Sequence, residues 1–280
     1  MADKPTGMRG DLHMHTTKSD GVWRPQRLFD EIRARDLRIF SVTDHDCIDA
    51  YPMPEDLRER CIPGLEIDSQ HKGQTVHVLA YGISDPHSEL MKRLRAQRRN
   101  RVERMQEMIA RLAALDIEIS MEDVHAQVIG ASSLGRPHLA RALVAKGIVA
   151  SVQEAFDRYL ADEGDGYVAL ERLTSQEIIV MIRRCGGVSV IAHPMRLREP
   201  AHLAELCEIG ADGIEVIHPT ADSVGEKMLR DFASSRGLLV TGGTDFHAPV
   251  PGRELGVELA SADTEALLRA VEQRNFSKAS

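Results

Sequence analysis

The sequence predicts an α/β fold, a barrel of βα units with a helical insertion, and three observations predict it. Short apolar, strand-like runs recur along the chain with helical patterns between most of them. Most of those runs end in His, Asp or Glu, which collects reactive groups at the carboxyl ends of strands, where barrel enzymes keep their sites. The middle of the chain shows helical periodicity and no strand. At 280 residues the chain can hold one large barrel or two ordinary domains, and either buries a sizeable core.

Each element can be justified in order. In Asp11-Leu12-His13-Met14-His15, an extended Leu12–Met14 puts His13 and His15 on one side, because side chains two apart on a strand share a face. Asp20, just before Gly21, can swing back from a turn into the same space. Pro25 suits a first helical turn, and Leu28, Phe29, Ile32 and Leu37 mark one face of a helix over about 25–36. A strand over Arg38–Thr43 then delivers Asp44-His45-Asp46. Cys47–Arg60 contains Pro52 and Pro54 and reads as a loop with a short helix, ahead of a strand around Ile62–Asp68 that carries Glu66. Gln70–Gly73 is a hairpin-like turn into a strand over Thr75–Ile83 with His77 in its alternation, a turn that allows antiparallel pairing with the preceding strand.

From residue 85 to 165 the pattern changes. Leu90, Leu94, Val102, Met105, Ile109 and Leu112 keep helical spacing for much longer than the crossover helices elsewhere. Met121–Val128, Arg136–Lys146 and Val152–Leu160 read as shorter helices, broken at Gly130 and Gly147. The expected division is therefore a discontinuous barrel of residues 8–84 and 166–275 with an insertion, 85–165, that covers the site.

The α/β rhythm then resumes. Thr174 and Glu177 have capping-box spacing ahead of Ile178, Ile179, Met181 and Ile182, and Gly186-Gly187 close that helix. A strand over 188–192 leads to His193-Pro194, followed by a helix near 200–209, a strand over Gly213–Ile217, and a helix over 223–235 closed by Gly237. A strand over 238–241 leads to Asp245-Phe246-His247, and a helix over about 263–273 completes the series.

Composition narrows the function. Lys and Arg number 35 against 43 Asp and Glu, a net charge of −8, so stable binding of duplex nucleic acid is not expected. Cys47, Cys61, Cys185 and Cys207 lack Cys-x-x-Cys spacing, which argues against a zinc ribbon and a disulfide framework. No run reaches the roughly 18 apolar residues needed to span a bilayer, and Met1–Arg9 lacks the apolar core of a secretory signal. The expectation is a cytoplasmic protein without membrane partners.

Imidazoles and carboxylates without thiolates suit Zn2+, Mn2+ or Fe2+. His13, His15, Asp20, His45, Glu66, His77, His193 and Asp245, with His247, exceed the needs of one ion, so two or three divalent ions are expected, with Glu66 or Asp245 bridging. Such a cluster clamps a phosphoryl group and activates water, which points to hydrolysis of a phosphate ester. Glu215 and His218 are read as passive neighbours; Trp23 is read as an anchor for the first helix.

His13-Met14-His15 with Asp20-Gly21, Thr43-Asp44-His45-Asp46, Gly64-Leu65-Glu66-Ile67, Val76-His77-Val78, Ala192-His193-Pro194 and Thr244-Asp245-Phe246-His247 resemble the ordered motifs of the polymerase and histidinol phosphatase (PHP) family. The resemblance covers about residues 10–83 and 167–250. It implies a distorted (β/α)7 TIM-like barrel and a trinuclear metal centre. It also implies that His13, His15, Glu66 and Asp245 hold one ion, that Glu66, His77 and His193 hold a second, and that Asp20, His45 and His247 hold a third. Asp20 stands where some members use His. Asp44 and Asp46 would orient His45 from behind.

Gly135-Arg136-Pro137-His138-Leu139-Ala140-Arg141 resembles the branch acting on nucleotide 3′,5′-bisphosphates and on short RNA from the 5′ end. The implied substrate is thus a phosphorylated small molecule, nucleotide or short RNA. Arg136 and His138 would receive the phosphate, Arg196 and Arg101 would extend the clamp, and Arg136 would stabilise the transferring group. His193 or Asp245 would assist proton transfer. One departure is acidic: Asp162-Glu163-Gly164-Asp165 precede Gly166-Tyr167-Val168, where the branch commonly carries a Lys. A small-molecule phosphatase of the histidinol-phosphate type and a non-catalytic metal- or nucleotide-binding module are the alternatives.

Overall fold

The computed structural model describes residues 7–128, 134–161, 164–169 and 172–279; Gly130 and the acidic pair Asp162-Glu163 lie outside them. The fold is mixed α/β. Strand β1 (Gly7–Asp11) is followed by α1 (Pro25–Ala34), β2 (Ile39–Phe40), a 3-10 turn (Glu55–Arg60), β3 (Gly64–His71) and β4 (Gln74–Tyr81). Helices α2 (Glu89–Ala113), α3 (Met121–His125), α4 (Arg136–Ala145) and α5 (Val152–Ala155) follow, the last continuing as a π turn over Phe156–Leu160. Then come α6 (Ser175–Arg184), β5 (Val188–Ile191), α7 (Pro200–Ile209), β6 (Gly213–Ile217), α8 (Ser223–Arg236), β7 (Leu239–Gly242), β8 (Val257–Ala260) and α9 (Ser261–Ala279).

The local chemistry explains the boundaries. Pro25 opens α1, and Leu28, Phe29 and Ile32 bury its inner face. Thr174 and Glu177 form the expected capping box on α6, whose Ile178, Ile179 and Ile182 are buried. Gly237 ends α8 at φ 64°, a left-handed position that glycine takes without steric cost.

The strands form two sheets, ordered β2-β1-β8 and β3-β4-β5-β6-β7, in place of one parallel array. β4 runs against both β3 and β5. The cause is local: Lys72 and Gly73, at φ 47° and 77°, make a two-residue turn, and so short a link can join only antiparallel strands. Parallel pairing resumes from β5 to β6 and from β6 to β7. Single parallel bridges, Phe40 to Cys61, His45 to Glu66 and Met14 to Phe246, tie one sheet to the other on two sides.

Three expectations need correction. The strand predicted through Leu12–Met14 ends at Asp11, and beyond it the backbone bonds alternately to two neighbours: Leu12 N–H donates to Gly242 O, while Met14 O accepts from Thr43 N–H. β2 is shorter than Arg38–Thr43 for the same reason, since its continuation contacts separate loops and strands in turn. β8, antiparallel to β1, was not foreseen; it is short and runs straight into α9 without a turn signal.

The main core packs Leu65, Ile67, Val78 and Ala80 of the central sheet against Ile178, Ile182 and Leu206 of the covering helices. Helices α2–α5 supply a separate apolar cluster around Met105, Met108, Leu112, Leu139, Leu143 and Leu160. Among the described residues, no strand occurs between Glu89 and Leu160. Trp23 packs on Phe246 beside α1, with ring centroids 4.5 Å apart. No described helix is long and apolar enough to cross a membrane.

Candidate metal centre

Glu66 organises the site. It lies on β3 with its side chain almost wholly buried, and five imidazoles converge on its two oxygens. Oε2 lies 3.2 Å from His13 Nε2, 3.2 Å from His15 Nε2 and 3.3 Å from His45 Nε2. Oε1 lies 2.8 Å from His77 Nδ1 and 3.1 Å from His193 Nε2. Asp245 is the second hub: Oδ1 is 3.3 Å from His13 Nε2 and 3.5 Å from His15 Nε2, while Oδ2 is 3.3 Å from His218 Nε2. Asp20 closes the far side, 3.2 Å from His247 Nε2 and 3.5 Å from His45 Nε2. Although His13 and His15 lie past the end of β1, they still turn their Nε2 atoms to the same two carboxylates.

The scaffold around the cluster is built from buried carboxylates that hold loops. Asp11 accepts from Thr244 Oγ1 at 2.6 Å and from the backbone N–H groups of Thr244, Gly256 and His13. Burial pushes its carboxyl up to about 6, against the pull of those donors. Asp44 accepts from Thr16 N–H, Thr16 Oγ1 and Ser19 Oγ, all at 2.7 Å, and so fixes the loop that delivers Asp20. Gly243 passes so close to His13 that a Cβ there would lie 2.5 Å from the His13 Cβ. His193, Asp245 and Asp46 take φ of 30°, 49° and 54°, a left-handed cluster of non-glycine residues typical of strained functional sites.

The electrostatics follow from crowding. Burial would lower the His15 pKa, but Asp245 and Glu66 outweigh it and push it up to about 10. His77 rises to about 9 against burial, through Glu66 and Asp68. Burial favours neutral Glu66, yet His13, His45 and His77 hold it well below the usual carboxylate range. His45 and His193 fall, burial being the main cause in each.

A divalent cation fits this donor set. His15, Asp20, His45 and His247 offer ligand atoms within 4.8 Å of one another, as do His13, His15, Glu66 and Asp245, and also His45, Glu66 and His77. His13 Nε2, His15 Nε2 and His45 Nδ1 are buried with no hydrogen-bond partner of proper geometry among the described residues. His13 Nε2 and His15 Nε2 face the same Glu66 and Asp245 oxygens, and His45 Nδ1 faces Asp68; buried ring nitrogens left without a hydrogen bond are costly unless a ligand takes their lone pairs.

Three residues passed over or read as passive in the sequence stand in contact with the cluster. Glu215 of β6, fully buried, lies 3.0 Å from His13 Nδ1 through Oε1 and accepts the His193 backbone N–H at 2.8 Å through Oε2. Asp68 lies 3.2 Å from His77 Nε2 and 3.5 Å from His45 Nδ1. His218 meets Asp245 and is almost fully buried. The signal for Glu215 was available: a charged residue inside an apolar strand is rarely buried without a partner. Asp44 and Asp46 do not approach the His45 ring as expected; Asp44 binds the Thr16–Ser19 loop, and Asp46 pairs with Arg101.

The arginines divide. Arg196 reaches Asp245 Oδ2 at 3.3 Å and keeps half its side chain exposed. Arg101 is buried between Asp46, at 3.1 Å, and Asp68, at 2.9 Å. Arg136 donates to the Leu160 carbonyl and lies over the Tyr167 ring at 5.1 Å. His138 Nδ1 accepts the Gly135 N–H at the start of α4.

No family model matches the chain. It is 31% identical over 272 residues to the 5′-3′ exoribonuclease Rnm of Escherichia coli strain K12, covering 92% of each chain. It is 31% identical over 256 residues to a 3′,5′-nucleoside bisphosphate phosphatase of Chromobacterium violaceum, covering 88% of this chain and 90% of that one. A crystal structure from Bifidobacterium adolescentis, assigned as a metal-dependent phosphoesterase, superposes with a TM-score of 0.74 at 30% identity over 95% of this chain and 98% of that chain. Full-length likeness of this kind, joined to a buried cluster of His, Asp and Glu, shows that the chain belongs to the PHP family of metal-dependent phosphoesterases, a family of hydrolases.

Proposed function

We propose that this phosphoesterase removes the 3′-phosphate of nucleotide 3′,5′-bisphosphates or cleaves short 5′-phosphorylated oligoribonucleotides. The observation that carries this reading is the convergence of five imidazoles on Glu66, in a chain whose relatives bear those two activities in their names.

Two or three divalent ions, Mn2+, Zn2+ or Fe2+, would be held by His13, His15, Glu66 and Asp245, by Glu66, His77 and His193, and by Asp20, His45 and His247. When bound, such ions neutralise phosphoryl charge and lower the pKa of water. The chain's own groups do the rest. Arg136 and His138 receive the phosphate, Arg136 stabilises the transferring group, and Arg196, beside Asp245, clamps phosphoryl oxygens with a planar fork. Asp245 Oδ2 holds or passes a proton with His218 Nε2 as its partner, and His193 is the other proton carrier. Glu215 keeps the Nδ1 side of His13 occupied, which leaves Nε2 for the centre.

The same reading takes β1–β7 as a distorted barrel, supported by the bridges between the sheets. It takes residues 85–165 as an insertion over the site, supported by their separate apolar cluster. Four cysteines without disulfides support a reducing compartment, the cytoplasm.

The test is phosphate or nucleotide release with Mn2+ from adenosine 3′,5′-bisphosphate, adenosine 5′-monophosphate, histidinol phosphate and a short 5′-phosphorylated RNA. The bisphosphate or the RNA should be preferred, and His13→Ala and Asp245→Ala should abolish turnover. Histidinol phosphate as the best substrate would overturn the reading.

A further inference from the structure

Glu66 and Asp68 stand two apart on β3 and so share a face of the strand. Asp68 is paired in register with His77 of β4, which brings carboxylate and imidazole to facing positions on the two strands. Asp68 Oδ1 lies 3.2 Å from His77 Nε2 and, more loosely, 3.5 Å from His45 Nδ1. Each ring turns its other nitrogen to Glu66: His77 Nδ1 is 2.8 Å from Oε1, and His45 Nε2 is 3.3 Å from Oε2. The two imidazoles are thus held between two carboxylates, with one carboxylate at each nitrogen.

The second oxygen of Asp68 belongs to another element. Oδ2 accepts from the Arg101 guanidinium of α2 at 2.9 Å, and the same guanidinium lies 3.1 Å from Asp46. One turn earlier on α2, the Gln97 amide donates to the Asp68 carbonyl at 3.4 Å and accepts the Leu173 N–H at 3.3 Å. Gln97 and Arg101 are both buried, so the long helix is fastened to Asp68 through main chain and side chain alike. The opposite edge of the cluster is built differently. At Asp245 and His247 it opens on a cavity of about 490 Å3, and His13 and Asp245 are backed there by Glu215 and His218, from β6 and the residue after it.

We propose that Asp68 is a positioning residue for two of the ion positions, and that Arg101 of the helical insertion sets it in place. A carboxylate beside one ring nitrogen favours the N–H there and leaves the lone pair on the other. For His77 that lone pair sits on Nδ1 and for His45 on Nε2, and both face Glu66. His77 belongs to the second ion and His45 to the third, so one carboxylate serves both, whereas the set His13, His15, Glu66 and Asp245 stands apart from it. Docking of α2 and filling of the second and third positions are then linked, and each favours the other by the same factor. This inference rests on the proposed allotment of ions.

The experiment is calorimetric titration of Mn2+ into chelator-stripped protein, with wild type, Asp68→Asn, Arg101→Ala, Arg101→Lys and His13→Ala. Wild type should take up more than one ion. Asp68→Asn and Arg101→Ala should weaken the second and third positions by about 10- to 100-fold, the range for partners of metal ligands, and leave the first within about twofold. Arg101→Lys should recover part of the loss, and His13→Ala should remove the position that Asp68→Asn spares. Electron paramagnetic resonance gives a signature that lost stability alone does not: spin-coupled Mn2+ in wild type should give way to the spectrum of an isolated ion in Asp68→Asn. Amide exchange over α2 should slow when Mn2+ is added to wild type and stay unchanged in Asp68→Asn. The asparagine is close to isosteric with aspartate, so it keeps the test decisive if Arg101→Ala does not fold. Several ions in wild type with equal weakening of all positions in Asp68→Asn, or of none, overturns the inference alone, as does α2 exchange indifferent to Mn2+. A wild type that takes up a single ion or none overturns the proposed two- or three-ion centre with it.

Discussion

At the scale of single residues, Glu215 shows what a motif does not contain. Its two oxygens serve separate ends: one faces His13 Nδ1, the other accepts the N–H of His193, whose backbone is held at a left-handed φ of 30°. One buried carboxylate thus sets both which nitrogen of a candidate ligand faces the centre and the strained backbone of another. Glu215→Ala should weaken Mn2+ binding by about 10- to 100-fold, the range for partners of metal ligands. It should also cost about 1–3 kcal/mol of stability by stranding two buried donors. Glu215→Gln has one acceptor oxygen where two are needed, so it should fall between wild type and alanine. Calorimetric Mn2+ titration with thermal melts reads both effects, and wild-type affinity in the alanine variant would refute the positioning role. The His, Asp and Glu of the motifs were legible because they recur at the ends of apolar runs. Asp68 was passed over and Glu215 read as passive, since the partner of one acidic residue in a strand is not visible along the chain.

At the scale of elements, the sequence allowed the antiparallel turn into β4 because Lys72-Gly73 is a two-residue link, and geometry leaves such a link no other use. It missed β8, whose pairing with β1 spans almost the whole chain. Helix α2 was legible as a long helix, but its docking was not. Arg101 reads as a substrate clamp in the sequence; in the fold its guanidinium joins α2 to Asp46 and Asp68. Burial pushes the Asp46 carboxyl up to about 7 even with that cation beside it. Arg101→Ala should therefore lower the unfolding free energy by about 3–5 kcal/mol, as for a buried pair that loses one partner. Urea denaturation measures this, and Arg101→Lys should recover part of it. Unchanged stability with a raised KM would return Arg101 to the role of substrate ligand.

At the scale of the whole molecule, the centre joins segments that begin near residue 11 and end near residue 247, so whatever binds there ties both ends of the fold together. Asp20, Glu66, Asp68, Glu215 and Asp245 crowd acidic charge into one interior, in a chain with a net charge of −8. A cation that binds only the folded state stabilises it by mass action, about 2.7 kcal/mol at 100 times its Kd. Chelation should lower the Tm, Mn2+ should restore it, and His13→Ala or Asp245→Ala should remove the response. A melt indifferent to both chelator and Mn2+ would count against a metal centre in this fold.

By itself the sequence determined the alternation of strands and helices, the long helical middle, and the residue types that collect at one place, because periodicity and ligand chemistry are local properties. The tertiary structure alone decided that Glu66 stands at the middle of five imidazoles, that Arg101 faces inward, and that a cavity opens beside Asp245. Those facts depend on which distant backbones pack together, and packing is settled by the burial of whole faces at once, which no single stretch of the chain encodes.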